Sequence, residues 1–136
     1  MGDITQIPLP STADPDTAGF FEAASRGELV VRTCHACGHV IHLPKALCDR
    51  CHSWDTGWRQ VEPRGRIYTY SIVERQVHPA FPAPFTLIVV ELEDEPSARL
   101  MGCLPGSPDI AVGMTVRGEF ETVEDVALLR WRLDAD

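Results

Sequence analysis

The strongest constraint on the fold is the stretch CHACGHVIHLPKALCDRC, which holds four of the five cysteines of the chain. Cys34 and Cys37 form one CxxC pair, Cys48 and Cys51 form a second, and ten residues separate the two pairs. Two such pairs, each on a tight turn, bring four thiolates to the corners of a tetrahedron around one metal ion. Because disulfides are disfavoured in a cytosolic chain, we predict a metal site with these four ligands and Zn2+ as its metal.

The same pattern predicts that this metal is structural. A four-thiolate site leaves no position for water or substrate, so the ion supports folding and takes no part in a reaction. Gly38 follows the first pair, as such turns usually require, whereas His52 stands at the equivalent place after the second. This departure disfavours a rubredoxin-type iron site more than a zinc site. The histidines near the cysteines are expected to be surface residues and not ligands; they are His35, His39, His42 and His52.

Composition narrows the class of protein. A chain of 136 residues with 44% hydrophobic residues forms one ordinary domain or two small ones. No apolar run approaches the roughly 20 residues that span a bilayer, and the N-terminus lacks a signal-peptide pattern, so we expect a cytoplasmic protein without membrane contact. The net charge of -8 repels the phosphate groups of a nucleic acid, so free nucleic acid is not an expected ligand.

The remaining sequence predicts one helix and a set of short strands. Asp14 as cap, Pro15 at the first position and Gly27 as stop predict a helix over residues 15–26, after an extended arm over residues 1–13. A strand leads into the cysteine stretch, and five β-rich runs separated by turn residues follow Pro63. The predicted fold class is mainly β: an N-terminal helix, a rubredoxin-like zinc ribbon, and a five-stranded OB-fold barrel. We place the arm and helix at residues 1–32, the ribbon at 33–60 and the barrel at 61–136.

The order of these segments resembles a known family. The helix ending in FFEAASRGELVVRTC, the CxxC ribbon, the strand GRIYTYSIVER and the loop HPAFPAPF are similar to the zinc-ribbon/OB-fold proteins that accompany thiolase-like enzymes. The likeness covers nearly the whole chain. It implies a non-catalytic subunit that forms a hetero-oligomer with a thiolase-superfamily enzyme acting on acyl-CoA thioesters, such as an acyltransferase or a steroid side-chain aldolase.

Candidates for chemistry within the chain are few. Cys103 is the only cysteine outside the ribbon, and its apolar setting RLMGCL is typical of a buried small hydrophobic residue. His78 lies in a loop that three prolines stiffen, which favours a contact role over a role as general base. We therefore expect no catalytic residue.

Contact with a partner or ligand is predicted at several other positions. Phe81 and Phe85 are large apolar groups on the proline-restrained loop, so their burial against another surface costs little conformational entropy. The resemblance implies coenzyme A thioesters near the subunit junction, where arginines at both ends of the first barrel strand are candidates for phosphate contact. The predicted contact residues are His78, Phe81, Phe85, Arg75, Arg64, Arg66, Phe20 and Phe21.

Two alternatives remain open from the sequence. Trp54, Trp58, Tyr68 and Tyr70 are compatible with a stand-alone OB-fold module that stacks the bases of single-stranded nucleic acid, although the charge opposes it. A rubredoxin-like electron carrier fused to a barrel would use the same four cysteines for iron and would be red as isolated.

Overall fold

The computed structural model describes residues 7–134, in which one short helix precedes eight strands. The elements are α1 Ala18–Ala24, β1 Leu29–Cys34, β2 Val40–Ile41, β3 Thr56–Val61, β4 Arg64–Val73, β5 Phe85–Leu92, β6 Arg99–Pro105, β7 Thr115–Val123 and β8 Val126–Leu133. The predicted fold class is confirmed, and all five strands expected after Pro63 are present. The predicted arm lies partly outside the described residues, and its described part, residues 7–13, contains no helix or strand.

The helix is shorter than the sequence predicts because its first residues form a separate turn. The backbone O of Asp14 accepts the N–H groups of Thr17 and Ala18, and Asp14 Oδ1 accepts the N–H of Asp16 at 2.9 Å. Asp14 thus caps this turn, and the helix begins at Ala18. The helix ends at Ala24, two residues before the predicted end, and Gly27 takes a φ of 76° in the turn that follows.

α1 docks on its own chain. A side chain at Gly19 would overlap the indole of Trp58, so this glycine allows the helix to lie against the Trp58 side chain. Phe20 packs against the main hydrophobic core, and Phe21 meets the Phe20 ring edge-on with centroids 5.3 Å apart. The short helix is therefore stabilised by tertiary packing, as its length requires.

The first sheet is small and carries the cysteines. Its strand order is β2-β1-β3, with both pairs antiparallel. A separate small cluster, formed by Cys34, Ile41 and Cys48, is the only apolar interior on the metal side of this sheet among the described residues. Three residues make too small a core to hold this region, so it depends on another source of stability.

The second sheet contains five antiparallel strands in the order β6-β5-β4-β7-β8. Every second residue of β5 is buried, which reproduces the alternation expected of a strand with one face on the core. A β-bulge interrupts β4 between Ile67 and Thr69. The bend that such a bulge produces allows the start of β4 to pair with β7 while the rest pairs with β5 alone.

The prediction of a closed barrel is wrong in one respect: within residues 7–134 no ladder joins β6 to β8. The two strands face each other across the Trp131 side chain, which is 3% exposed and occupies the space above Gly102. A side chain on Gly102 would overlap the Trp131 ring. The large indole fills the gap that backbone pairing would otherwise close.

One core joins the two sheets. Leu29, Val31 and Val61 of the first sheet belong to the same buried cluster as Ile67 and Trp131 of the second. The ribbon therefore rests on the barrel through apolar burial, and the domain boundaries given above remain a prediction. Within the part of the chain that the structure describes, no helix is both long and apolar enough to cross a membrane.

Candidate metal centre and adjacent groove

The four cysteine sulfurs converge as the spacing predicts. All four lie within 4.8 Å of one another, with Cys34 Sγ 3.5 Å from Cys51 Sγ and Cys37 Sγ 3.7 Å from Cys48 Sγ. Four sulfurs at about 2.3 Å from one Zn2+ in a tetrahedron are about 3.8 Å apart. The spacing therefore fits a zinc ion, and no other group of three or more ligand-type side chains comes together in residues 7–134.

Two equivalent turns present these sulfurs. The N–H of Gly38 bonds to Cys34 O and the N–H of His52 bonds to Cys48 O, both at 2.9 Å. Gly38 has a φ of 77° and His52 a φ of 62°, so each occupies the left-handed region. His52 adopts the conformation that its glycine counterpart takes freely, at a conformational cost that only glycine avoids.

The thiol pKa values show why a cation suits the site. The backbone N–H of Cys37, with further hydrogen bonds, outweighs burial and lowers the pKa of Cys34 to about 7. At Cys51 the N–H of Ser53 lowers the pKa, but the Cys34 sulfur, burial and the two other sulfurs together raise it to about 12. Four thiols this close resist full ionisation because their negative charges repel. A dication relieves that repulsion and, when bound, Zn2+ holds the two turns together, a contribution on the order of 10 kcal/mol to folding.

The neighbouring histidines do not converge with the sulfurs. His35 Nδ1 lies 3.0 Å from Asp55 Oδ1, and His39 Nε2 lies 3.2 Å from Asp49 Oδ1. His39 and His42 are half-buried, and His42 Nε2 lies 2.6 Å from the backbone O of Arg99. A carbonyl only accepts, so His42 donates this hydrogen bond and ties the ribbon to β6.

An apolar groove of about 380 Å³ opens between the ribbon and the barrel. Helix residues Phe20 and Phe21 form one wall, and Leu43 and Met101 stand at its rim with 75% and 68% of their surfaces exposed. Two large apolar side chains therefore lie exposed on one concave surface. The sequence predicts contacts at the two phenylalanines but not at Leu43 and Met101, because the rim combines positions 58 residues apart that no local pattern connects.

The loop between β4 and β5 holds its aromatic rings together. His78 and Phe81 form an isolated antiparallel bridge, with ring centroids 5.6 Å apart, and Phe81 lies 6.5 Å from Phe85. His78 Nδ1 accepts the N–H of Ala80 at 3.0 Å. All three rings are half-buried. The imidazole is thus engaged in shaping the loop, and the rings form one semi-exposed cluster.

The three candidate arginines are not brought together. Arg64 lies between Glu93 and Asp134, at 3.3 Å from each, whereas Arg66 and Arg75 are exposed and make no ion pair with a described residue. Arg66 lies near the start of β4, and Arg75 lies two residues beyond its end. Their contact with coenzyme A stays a prediction.

Cys103 is half-buried on β6 and less enclosed than its apolar setting predicts. Burial raises the pKa of its thiol, an effect that the charge of Arg130 only partly offsets. A raised pKa keeps the thiol protonated and unreactive near neutral pH.

The fold and the centre define a class of protein: a rubredoxin-like zinc ribbon with a structural four-cysteine site, followed by an OB-fold. Two family models match the chain, "ChsH2, rubredoxin-like zinc ribbon domain" over residues 21–55 and "ChsH2, C-terminal OB-fold domain" over residues 58–121. A solved structure described as "Ltp2-ChsH2(DUF35) aldolase" is 31% identical, with a TM-score of 0.80, and the match covers 91% of this chain and 98% of that one. The chain belongs to this ChsH2-like DUF35 family.

Curated relatives extend the comparison. A "Probable enoyl-CoA hydratase alpha subunit" of Thermomonospora curvata is 37% identical over 74% of this chain and 32% of its own length. A "DUF35 domain-containing scaffold protein" of Methanocaldococcus jannaschii is 29% identical over 68% and 67%. The "3-oxo-4,17-pregnadiene-20-carboxyl-CoA hydratase alpha subunit" of Mycobacterium tuberculosis is 27% identical over 88% and 38%. The chain thus spans about a third of the two hydratase subunits.

Proposed function

We propose that this chain is a non-catalytic accessory subunit of a thiolase-superfamily enzyme that acts on acyl-CoA thioesters. In this role it supports the partner's fold and frames the entrance to its acyl-CoA site. The observation that carries the proposal is the four-thiolate centre, because a metal with four protein ligands braces the chain but has no position for a substrate.

The other reactive side chains support a non-catalytic role. Nucleophilic catalysis needs a thiolate or an activated hydroxyl next to a base. Cys103 has a raised pKa, and its Sγ makes only a long hydrogen bond of 4.0 Å to Leu104 O among the described residues. His78 uses Nδ1 within its own loop. Neither residue has the arrangement of a nucleophile and base.

The groove supplies the surface that a partner requires. Its rim residues Leu43 and Met101 expose apolar surface that a soluble monomer usually covers. The groove lies where α1, the ribbon and β6 meet, so one partner surface placed there contacts the ribbon and the barrel at once. We assign this groove to the partner enzyme, at the side of its acyl-CoA site.

The names of relatives support the substrate class. Two are described as alpha subunits of hydratases acting on CoA thioesters, one of them with a pregnadiene carboxyl-CoA, and the similar solved structure is described as an aldolase with two named components. An accessory role in breaking down a steroid-derived acyl-CoA is the specific form of the proposal. The Methanocaldococcus relative is described as a scaffold protein, a description that fits a role in supporting a partner enzyme and not in catalysis.

The geometry of Tyr68 weighs against the nucleic-acid alternative. The guanidinium of Arg99 lies 3.9 Å from the centroid of the Tyr68 ring, so one face of this ring is already occupied. Base stacking needs an open aromatic face in a positively charged groove. The net charge of -8 adds a general repulsion of the phosphate backbone.

Co-expression with the products of neighbouring genes tests the proposal. We expect a thiolase-superfamily protein to co-elute with this chain on size-exclusion chromatography, and the isolated chain to turn over no acyl-CoA. Leu43→Asp at the groove rim should weaken the complex at least tenfold, whereas Val112→Asp, at another apolar residue that is 64% exposed, should not. Absence of a complex with any such enzyme, or turnover by the isolated chain, would contradict the proposal.

A further inference from the structure

One edge of β4 is covered only at its start. β7 pairs with residues 64–66 of β4, and the N–H and C=O of Ile67 then bond to Met114 O and Gly113 N at 2.9 and 2.8 Å. Beyond Ile67, no described residue pairs with this side of the strand. All five residues from Tyr68 to Ile72 are exposed. We call the segment Tyr68–Val73 the open edge.

The bulge determines which backbone groups the open edge offers. Ile67 directs its N–H and C=O away from β5, as its bonds to Met114 and Gly113 show. Successive residues of a strand direct their N–H and C=O groups to opposite edges in turn. The extra residue at the bulge between Ile67 and Thr69 shifts this alternation by one position. Tyr70 and Ile72 therefore face the open edge. Their N–H and C=O groups, about 7 Å apart along the strand, form a short unpaired ladder.

The open edge lacks the features that normally prevent strand pairing. The sequence YTYSIV contains no charge and no proline, and its residues favour β-structure. The edge strand β3 provides a contrast, since its Arg59 forms a 2.8 Å ion pair with Glu95, and the N–H of Glu62, directly after the strand, bonds to Asp94 Oδ2. Tyr70 and Ile72 also keep 39% and 45% of their surfaces exposed. Their side chains and their backbone groups are available to the same ligand.

We propose that the open edge binds an extended strand of the partner enzyme, which adds to the five-stranded sheet by β-augmentation. This inference rests on the proposed function for the identity of the partner. Arg66 and Arg75 flank the open edge, are exposed, and make no ion pair with a described residue. The complementary segment therefore has a β-branched, apolar centre with a carboxylate near each end.

A second copy of this chain fits the open edge less well. In an antiparallel pairing about a two-fold axis at Tyr70, Glu74 of one copy would oppose Arg66 of the other, but Arg75 would oppose Gly65 and stay unpaired. Two chains of net charge -8 also repel each other. The charges therefore favour a different chain with acidic flanks.

A designed peptide tests the open edge without the partner. The probe is acetyl-DVTVTVD-amide, titrated into the full zinc-loaded chain labelled with 15N. We expect shifts and slowed exchange of the Tyr70 and Ile72 amides, at millimolar affinity because one short strand must be ordered on binding. The same peptide with lysine in place of both aspartates should bind at least threefold more weakly. Perturbation confined to other residues, or equal binding of the two peptides, would overturn the inference.

Two variants at one position separate backbone pairing from side-chain contact. Ile72→Pro removes the outward N–H and leaves the ladder to β5 intact, a position where an edge strand tolerates proline. Ile72→Thr keeps that N–H and reduces the apolar side chain. We expect Ile72→Pro to lose peptide binding at least tenfold and Ile72→Thr to lose less than threefold. Equal losses would show that the backbone does not pair.

The same variants distinguish this inference from the proposed function. With the co-purified enzyme, Ile72→Pro should weaken the complex at least tenfold relative to Ile72→Thr. A complex that forms equally well with both variants would refute the role of the open edge and leave the accessory role standing. If light scattering instead finds a dimer of this chain that Ile72→Pro dissociates, the occupant is a second copy and the assignment to the enzyme is wrong.

Discussion

His42 donates a hydrogen bond from Nε2 to the backbone O of Arg99 at 2.6 Å, and this bond joins the ribbon to the barrel. Arg99 continues the connection, since its guanidinium lies over the Tyr68 ring and 3.8 Å from Glu91. Contacts thus run from the cysteine region through β6 to β4 and β5. This path explains how a metal site with almost no core of its own is held in a fixed position beside the groove.

Replacing His42 tests this connection. His42→Ala should lower the free energy of unfolding by about 1 kcal/mol, the usual value of one hydrogen bond, as measured by urea denaturation with zinc present. His42→Gln provides the control, because its amide nitrogen can reach the position of Nε2. An alanine variant as stable as the wild type would show that the bond does not hold the ribbon.

Substitutions in the two metal-binding turns should change the free energy of unfolding in opposite directions. Gly38→Ala should destabilise the chain by about 1 kcal/mol, because a methyl group meets no neighbour within 4 Å but the φ of 77° penalises any side chain. His52→Gly should stabilise it by a similar amount, since the φ of 62° then costs nothing. Urea denaturation at saturating zinc measures both. Changes of the same sign would contradict the equivalence of the turns.

Thiol reactivity reports on metal binding and on Cys103 together. With zinc bound, we expect alkylation of one thiol only, the slowly reacting Cys103, and alkylation of all five after chelation in denaturant. Because burial raises the Cys103 pKa, its thiolate fraction at pH 8 is below that of an ordinary cysteine. Its alkylation should therefore be slower than that of a model peptide and should accelerate as the pH rises. Several fast thiols in the native protein would be inconsistent with four zinc-bound cysteines.

The aromatic loop gives a prediction for partner binding. Phe81→Ala should weaken association with the partner enzyme about tenfold, as expected for an aromatic anchor, while the barrel stays folded. Val77→Ala is the matched control, since Val77 belongs to the same loop and is 75% exposed. Isothermal titration of the two variants measures the difference. Equal affinities would remove the Phe81 ring from the interface.

Much of the fold follows from local sequence pattern. The β-rich run FTLIVVEL and the turn residues around it predict the strand β5, and the structure adds which face is buried, that of Thr86, Ile88, Val90 and Leu92. The CxxC spacing predicts the metal centre because each pair of cysteines lies on one local turn. The fold then only has to bring the two turns together. These features depend on residues close in the chain.

The features that the sequence did not predict depend on distant residues. The gap between β6 and β8 results from the size of Trp131 opposite Gly102, a pairing across 29 positions. The late start of α1 results from competition by the Asp14 turn, which offers the backbone an alternative to the helix. The groove rim and the His42 bond likewise combine ribbon and barrel residues that only the folded chain brings together.

X-ray absorption at the zinc edge tests the central claim most directly, namely that four thiolates saturate a metal that supports the fold and performs no chemistry. We predict four sulfur neighbours at about 2.3 Å and no oxygen or nitrogen. In Cys37→Ser the ion should dissociate, and the ribbon should unfold with it. A first shell of three sulfurs and one oxygen in the wild type, with a position open to water, would contradict the account.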